Sequence, residues 1–278
     1  MGFRIATNVQ SLAAQRTLNS TREAQNRSLE KLSAGERIVR AGDDAAGLAI
    51  SEKLKAEIRS LRQANRNAND GISLIQTAEG GLNEIQNILI RLRELSMQAA
   101  TDTLGDVERG FTNKEVQNLV TEMQRIAEVT RFNGKDLLNG TGGVLEFQVG
   151  THNNPEQDRM MYDTSSADAT VAKLGLQGLS VSTKQDAQTN LSRLDDAIRI
   201  VNDNRANFGA IQNRLQSTIA NLSIADENLS AANSRVRDVD VALESSELTK
   251  RNILMQAGTA MLAQANSNGM LALKLISG

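Results

Sequence analysis

The sequence predicts a mainly α protein: an elongated bundle of long coiled-coil-like helices, with one small β-hairpin region and with the N- and C-terminal halves packed together. Three features of the 278 residues predict this class. Aromatic residues make up only 2% of the chain, there is a single proline, and aliphatic residues recur at spacings of three and four. Aromatic side chains usually dominate compact cores because each buries a large area. Aliphatic residues at helical spacing, with almost no proline, instead favour long helices packed side by side.

Two long seams of aliphatic residues define the predicted rod. The first begins at Leu54 and predicts a helix over 48–99; the second begins at Leu191 and predicts a helix over 186–235, with Arg205 as its main interruption. Each seam spans about six heptads, more than the three or four that indicate a coiled coil. Two seams of equal length, one in each half of the chain, are expected to bury each other.

The middle of the chain predicts a shorter helix and then a hairpin. Periodic aliphatic residues between Val116 and Val129 predict a third helix that joins the bundle. The segment VLEFQVG then alternates with the period of a strand, and DRMMYD is the candidate returning strand. Glycines concentrate on both sides of this hairpin, and a loop rich in Ser, Thr and Asp follows it at Thr164–Thr170.

The two ends of the chain carry only weak apolar spacing. Neither 5–32 nor 241–276 has a strong seam, and the tail MLALKLI is apolar with nothing nearby in sequence to cover it. Short apolar periodicity gives little helical stability without packing. We therefore expect the ends to be poorly ordered alone and to await a partner.

Composition excludes most catalytic chemistry. The chain has no cysteine and a single histidine, His152, which removes thiolate nucleophiles and the usual zinc motifs. Neither Asp43-Asp44 nor the glycines of 140–143 have the spacing of a metal or phosphate loop; a helix N-cap and a turn are expected instead. The formal net charge is −2, and no apolar run has the length of a membrane span. The N-terminus lacks the apolar region of a signal peptide. We expect no enzyme activity, no cofactor and no metal.

Several long stretches resemble bacterial flagellin. LSAGERIVRAGDDAAGLAIS (Leu32–Ser51) and QANRNANDGISLIQTAEGGL (Gln63–Leu82) resemble its N-terminal signature, and RFNGKDLLNG (Arg131–Gly140) resembles its helix-to-hairpin junction. The C-terminal signature is represented by ANFGAIQNRLQ (Ala206–Gln216) and by the long run Asn221–Asn266. The resemblance covers most of the chain except about 145–180.

This resemblance implies a structural subunit that self-assembles into the helical flagellar filament, the propeller for swimming. Residues 1–42 and 236–278 would form the inner filament core, 43–143 and 180–235 the rod, and 144–179 a short variable outer region. The implied partners are other subunits, an export chaperone, a cap protein and hook-associated junction proteins. The resemblance also implies type III export and an extracellular filament. A sheathed or a periplasmic filament is the alternative. The alternative is a hook–filament junction protein, or a minor flagellin that does not polymerise alone.

The resemblance also suggests specific surfaces. Arg91, Leu95 and Glu115 occupy positions where many flagellins contact the innate immune receptor TLR5; the alternative is that Leu95 belongs to the seam and the charges form a solvated rim. The residues expected to pack the subunits are Leu54, Ile58, Leu61, Ile72, Ile75, Leu89, Leu92, Ile198, Val201, Phe208, Leu215, Leu222, Leu229, Met261 and Leu271. Polar residues within the seams, such as Asn65 and Arg205, are expected to fix helix register.

Overall fold

The protein is built mainly from long helices. A computed structural model describes the backbone of residues 7–277 and the side chains of residues 7–267. The helices of these residues are α1 (Val9–Ala34), α2 (Ala45–Ala99), α3 (Asp106–Val129), α4 (Pro155–Asp158), α5 (Lys184–Arg237) and α6 (Val241–Ser277). The predicted class is confirmed, and α2 and α5 are each slightly longer than predicted.

The chain divides into two compact units. The terminal unit consists of Met1–Ala56 and Asn228–Gly278, and the central unit consists of Glu57–Glu227. The three-part division expected from the sequence stays a prediction.

In the central unit, α2 and α5 run antiparallel. Arg93 pairs with Asp195 at one end, and Arg62 pairs with Asp226 at the other. Between these pairs the two seams bury each other in a continuous apolar core, as predicted. Arg205 donates to Gln86 within this seam, so it is accommodated by a polar partner on the facing helix.

The helix α3 packs on the last turns of α2 and runs in the opposite direction. Arg109 is only 7% exposed, and its guanidinium donates to the carbonyls of Ala99 and Thr101 at distances of 3.0 and 2.8 Å. The last carbonyls of a helix have no partner within it. Arg109 therefore caps the C-terminal end of α2 and fixes the turn into α3.

The predicted hairpin is present and packs on the helices. Strand β3 (Val144–Gln148) pairs antiparallel with β4 (Arg159–Asp163), with Val144 opposite Asp163. Its inward side chains Leu145, Met160 and Tyr162 are buried in the core. A second, shorter hairpin precedes it, β1 (Arg131–Phe132) with β2 (Lys135–Asp136), and was not predicted.

Two glycines allow the β segments to lie close to α2. A Cβ at Gly71 would lie 3.2 Å from the Phe147 ring, and one at Gly81 would lie 2.7 Å from both Leu138 and Thr130. At Gly80, by contrast, a Cβ would meet nothing within 4 Å. Gly81 therefore serves packing at the cost in helix propensity that any glycine carries.

An irregular strap, defined here as residues 168–183, covers α3 and α5. Its buried apolar side chains join the core, and its backbone is held by side chains of the helices. Gln124 of α3 accepts from Val171 N at 2.9 Å, and Arg193 of α5 donates to the carbonyls of Gly175 and Gln177. These side chains thereby satisfy backbone groups of the strap that have no partner in a helix or strand.

In the terminal unit, α1 and α6 pack antiparallel. Asn8 caps α1 by accepting from Ser11 N, and its amide donates to the Ala265 carbonyl near the far end of α6. Gly35, at a φ of 71°, ends α1 in the left-handed conformation that glycine adopts at little cost. Asp44 is the N-cap of α2, since its Oδ1 accepts from Gly47 N at 2.9 Å.

Candidate interaction surfaces

The structure brings two of the three predicted receptor residues together. Arg91 of α2 donates to Glu115 of α3 through Nε at 3.0 Å and Nη2 at 2.9 Å, and to Glu94 through Nη1 at 3.0 Å. The Arg91 and Glu115 side chains are about half exposed, at 49% and 47%. These hydrogen bonds, with Glu115 first and Glu94 second, raise the pKa of the Arg91 guanidinium above its usual value. The pair is an accessible, charged link between two helices.

Leu95 lies elsewhere. It is 2% exposed and belongs to the apolar core that α2 shares with α3 and α5. Its burial fits the alternative interpretation, in which Leu95 is a seam residue. The surface beside the Arg91–Glu115 pair is therefore open to a partner, but the Leu95 side chain is not.

Most of the residues expected to pack subunits against one another are buried within a single chain. Those that are 9% exposed or less are Ile58, Leu61, Ile75, Leu89, Leu92, Val201, Phe208, Leu215 and Leu222. Four others are partly buried: Leu54, Ile72, Ile198 and Leu229. These side chains lie on α2 and α5, whose seams bury each other within the chain. Their expected role in packing subunits against one another stays a prediction.

Met261 differs from these residues. It is 66% exposed on α6, as its expected role in subunit contact requires. Leu271, expected to have the same role, lies outside the residues whose side chains the structure describes. Subunit contact stays a prediction for both.

The terminal unit exposes large apolar side chains on both of its helices. On α1, Val9 and Leu12 are 60% and 52% exposed. On α6, the side chains that are at least half exposed are Val241, Leu243, Ile253, Leu254 and Met261. A helix that is apolar on many sides is usually surrounded by other elements.

The hydrogen bonds between α1 and α6 centre on Ser28. Ser28 is fully buried and donates to Glu244 at 2.5 Å, and Arg251 donates to Ser28 and to the Ala24 carbonyl. Gln25 donates to Asn252 nearby. Polar contacts specify register but contribute little net stability. The large apolar side chains named above are left facing outward on both helices.

The segment 35–44, between α1 and α2, is joined at the backbone to the end of α5 and to the segment 238–240 that follows it. Arg37 N donates to the Arg237 carbonyl at 2.6 Å, and Val239 N donates to the Gly35 carbonyl at 3.1 Å. The Arg237 guanidinium pairs with Glu36 and Glu52, and these carboxylates raise the pKa of Arg237, Glu52 having the larger effect. No sequence pattern indicated this junction, because its partners are about 200 residues apart.

The residues considered for catalysis or metal binding lie in loops and turns, where they hold the backbone or are exposed. Asp43 accepts from the backbone N–H groups of Arg40 and Val39, which hold the pKa of its carboxyl below the usual value. Gly140 and Gly143 adopt positive φ in turns, and His152 is exposed. Within the described part of the chain, no group of three or more His, Cys, Asp or Glu residues is arranged to hold a metal ion.

The same described part contains no helix that is both long and apolar enough to cross a membrane. Long helices with exposed apolar side chains in one unit, and a closed apolar core in the other, are typical of a structural protein that assembles with other chains.

Comparison with known proteins agrees with this class. The sequence model of the bacterial flagellin N-terminal helical region matches residues 5–142, and that of the C-terminal helical region matches residues 191–275. A flagellin of Halalkalibacterium halodurans is 44% identical over 97% of this chain and 98% of its own. A flagellin of Bacillus subtilis is 43% identical over 99% of this chain and 100% of its own. The chain belongs to the bacterial flagellin family, and it is a structural subunit of the flagellar filament.

Two further similarities are informative. The flagellar filament 33 kDa core protein of Treponema phagedenis is 43% identical over 97% of this chain and 98% of its own. The crystal structure of Bacillus cereus flagellin superposes with a TM-score of 0.51 at 33% identity, and covers 60% of this chain and 94% of that one. The family is one of structural proteins, and its filament is an extracellular or surface appendage.

Proposed function

We propose that the subunit polymerises by burying the outward apolar faces of α1 and α6 against neighbouring copies, which produces the propeller filament for swimming. The observation that carries this proposal is the exposure of large apolar side chains on α6, such as Ile253 and Met261, at 61% and 66%.

Energetics favour this arrangement. Burying one large aliphatic side chain contributes about 1.5–3 kcal/mol, whereas ordering each residue costs about 1–2 kcal/mol in backbone entropy. A pair of helices that leaves many of its large apolar side chains exposed gains too little from its own packing to offset that cost. Ordering of the ends is therefore completed only in the polymer, which couples folding to assembly. Head-to-tail contacts that do not close into a ring then allow growth to continue.

Further partners follow from family membership. We propose that an export chaperone covers the C-terminal segment before type III export, that a cap protein guides folding at the filament tip, and that hook-associated junction proteins connect the filament to the hook. The exposed apolar residues of α6 are suited to such a chaperone, because they need cover before assembly. No catalytic role is proposed. The filament would be extracellular, either bare or sheathed.

A second proposed interaction is recognition by the receptor TLR5. The half-exposed Arg91–Glu115 pair supports it, since a charged link on a rigid helical surface offers a partner both a donor and an acceptor. Leu95 would support this surface from beneath rather than touch the receptor.

The polymerisation proposal is tested by seeded growth followed by electron microscopy. We compare the wild-type chain with a variant carrying Ile253→Gln and Met261→Gln, and with Gln256→Asn as a control at an exposed polar position on the same helix. Wild type and control should extend the seeds, and the double variant should not. Equal helix content in the three monomers, measured by circular dichroism, would show that the double variant has lost a contact between subunits and not the helix α6 itself.

Extension by the double variant at the wild-type rate would overturn the assignment of this surface. Wild-type chains that remain monomeric on fresh seeds would overturn autonomous polymerisation, and would favour a hook–filament junction protein or a minor flagellin.

A further inference from the structure

The loop between β1 and β2 is an Asn–Gly turn with an unrestrained amide. Asn133 and Gly134 have φ values of 48° and 77°, and together they close a two-residue hairpin loop in which Phe132 lies opposite Lys135. Asn133 is exposed, and its carboxamide has no hydrogen-bond partner among the described residues. The hairpin has only two residue pairs, so local opening requires little free energy.

A second Asn–Gly pair, six residues away between β2 and β3, has a restrained amide. Asn139 Nδ2 donates to Asp136 Oδ2 at 2.8 Å. Asn139 Oδ1 accepts from Thr141 N at 3.0 Å and from Thr141 Oγ1 at 2.7 Å. The third such pair, Asn268–Gly269, lies where side chains are not described. Asn133 and Asn139 can therefore be compared directly. Both precede glycine, but only the carboxamide of Asn139 is held by hydrogen bonds.

We propose that Asn133 is a site of spontaneous deamidation and that the neighbours of Asn139 protect it from the same reaction. The Gly134 nitrogen attacks Asn133 Cγ, and the Cγ–Nδ2 bond breaks. The proton from the Gly134 nitrogen leaves with the amide as ammonia, and a succinimide forms. Water then opens the ring: cleavage at Cγ gives aspartate, and cleavage at the main-chain carbonyl gives isoaspartate. Water is the only co-reactant.

Restraint determines which residue reacts. Attack requires the carboxamide carbon to rotate onto the nitrogen of the next residue, a near-attack geometry that a free side chain can sample. Asn139 must first break its hydrogen bonds to Asp136 and Thr141. The net worth of one or two such bonds corresponds to about a tenfold difference in rate.

The products alter this turn in different ways. Aspartate tolerates left-handed backbone nearly as well as asparagine, so it preserves the loop while adding one negative charge beside Lys135. Isoaspartate adds a main-chain carbon to a two-residue loop and is incompatible with the pairing of Phe132 with Lys135. Modification would therefore accumulate as a local loosening next to α2, where Leu138 and Thr130 meet Gly81.

The test is incubation of the purified full-length chain at mildly alkaline pH, followed by peptide mapping with mass spectrometry that distinguishes aspartate from isoaspartate. We expect conversion at Asn133 to be about tenfold faster than at Asn139. In Thr141→Val, which removes the hydroxyl donor, conversion at Asn139 should accelerate while conversion at Asn133 in the same sample is unchanged. Conversion at Asn139 as fast as at Asn133, or no acceleration in Thr141→Val, would overturn the proposal.

Discussion

The ring of Tyr162 packs edge-on against the ring of Phe208, with centroids 5.4 Å apart and ring planes at 60°. This contact joins the hairpin to α5, and both residues are almost fully buried. The Tyr162 hydroxyl has no hydrogen-bond partner among the described residues, and burial raises the pKa of this phenol well above its usual value. The hairpin is thus held by ring packing rather than by hydrogen bonding of its one tyrosine.

Tyr162→Phe should therefore stabilise the central unit. Removing a buried hydroxyl without a partner relieves a desolvation penalty of about 1–3 kcal/mol, while the ring contact with Phe208 is kept. Urea unfolding followed by circular dichroism measures the change. Phe208→Leu, which removes the ring contact, should instead lower the free energy of unfolding. A loss of stability in Tyr162→Phe would mean that the hydroxyl has a partner.

Replacement of Leu95 and of Arg91 should separate folding from recognition. Leu95→Ala opens a cavity in the core and should lower the free energy of unfolding by about 2–5 kcal/mol. Arg91→Ala removes an exposed ion pair and should change the free energy of unfolding far less than Leu95→Ala does. A receptor reporter assay, on samples shown to be folded, should respond to Arg91→Ala. Full signalling by that variant would contradict the proposed contact.

The adjacent glycines of α2 should respond in opposite directions to alanine. Gly80→Ala meets open space and should raise the free energy of unfolding by about 1 kcal/mol, the ordinary gain in helix propensity. Gly81→Ala would place a Cβ 2.7 Å from Leu138 and Thr130, and should lower stability by about 1–3 kcal/mol. Thermal melts of the two variants compare these effects directly. Stabilisation in both would show that the close approach at Gly81 relaxes easily.

Acid should weaken the loop held by Asp136. Hydrogen bonds from Asn139, Arg131 and Thr141 hold the pKa of Asp136 below its usual value of 3.8. Since the folded-state pKa is the lower one, the stabilisation is fully present above pH 3.8 and is lost as the pH falls through the folded-state pKa. The free energy of unfolding, measured over this pH range, should therefore fall more steeply with decreasing pH in wild type than in Asp136→Asn. Glu84→Gln, on exposed α2 surface, is the control for removal of one charge.

The parts of the fold that depend on local spacing could be predicted. Aliphatic residues at heptad spacing specify a buried helix face wherever they occur, so α2, α5 and the β3–β4 hairpin followed from the sequence. The equal length of the two seams also predicted that they bury each other, and Leu89 and Phe208 lie in the core that they share. Their expected role in packing subunits together stays a prediction.

Features that rest on contacts distant in sequence could not be predicted. The strap depends on Gln124 and Arg193, whose polar side chains have no apolar period to mark them. The pairing of Arg237, at the end of α5, with Glu36 likewise joins residues about 200 positions apart in sequence. At the proposed receptor surface, the seam pattern already allowed Leu95 to be a buried residue of α2, as it is. The ion pair between Arg91 and Glu115 could not be predicted, because it depends on how α3 packs on α2.

Amide hydrogen exchange of α6 in monomers and in filaments tests the central claim most directly. If the terminal unit is completed by neighbouring copies, peptides from residues 241–267 should exchange rapidly in the monomer and become strongly protected in the filament. Peptides from the core of the central unit, around Phe208, should be protected in both states. Equal protection of α6 in monomer and filament would contradict the claim that its outward apolar face is buried by assembly.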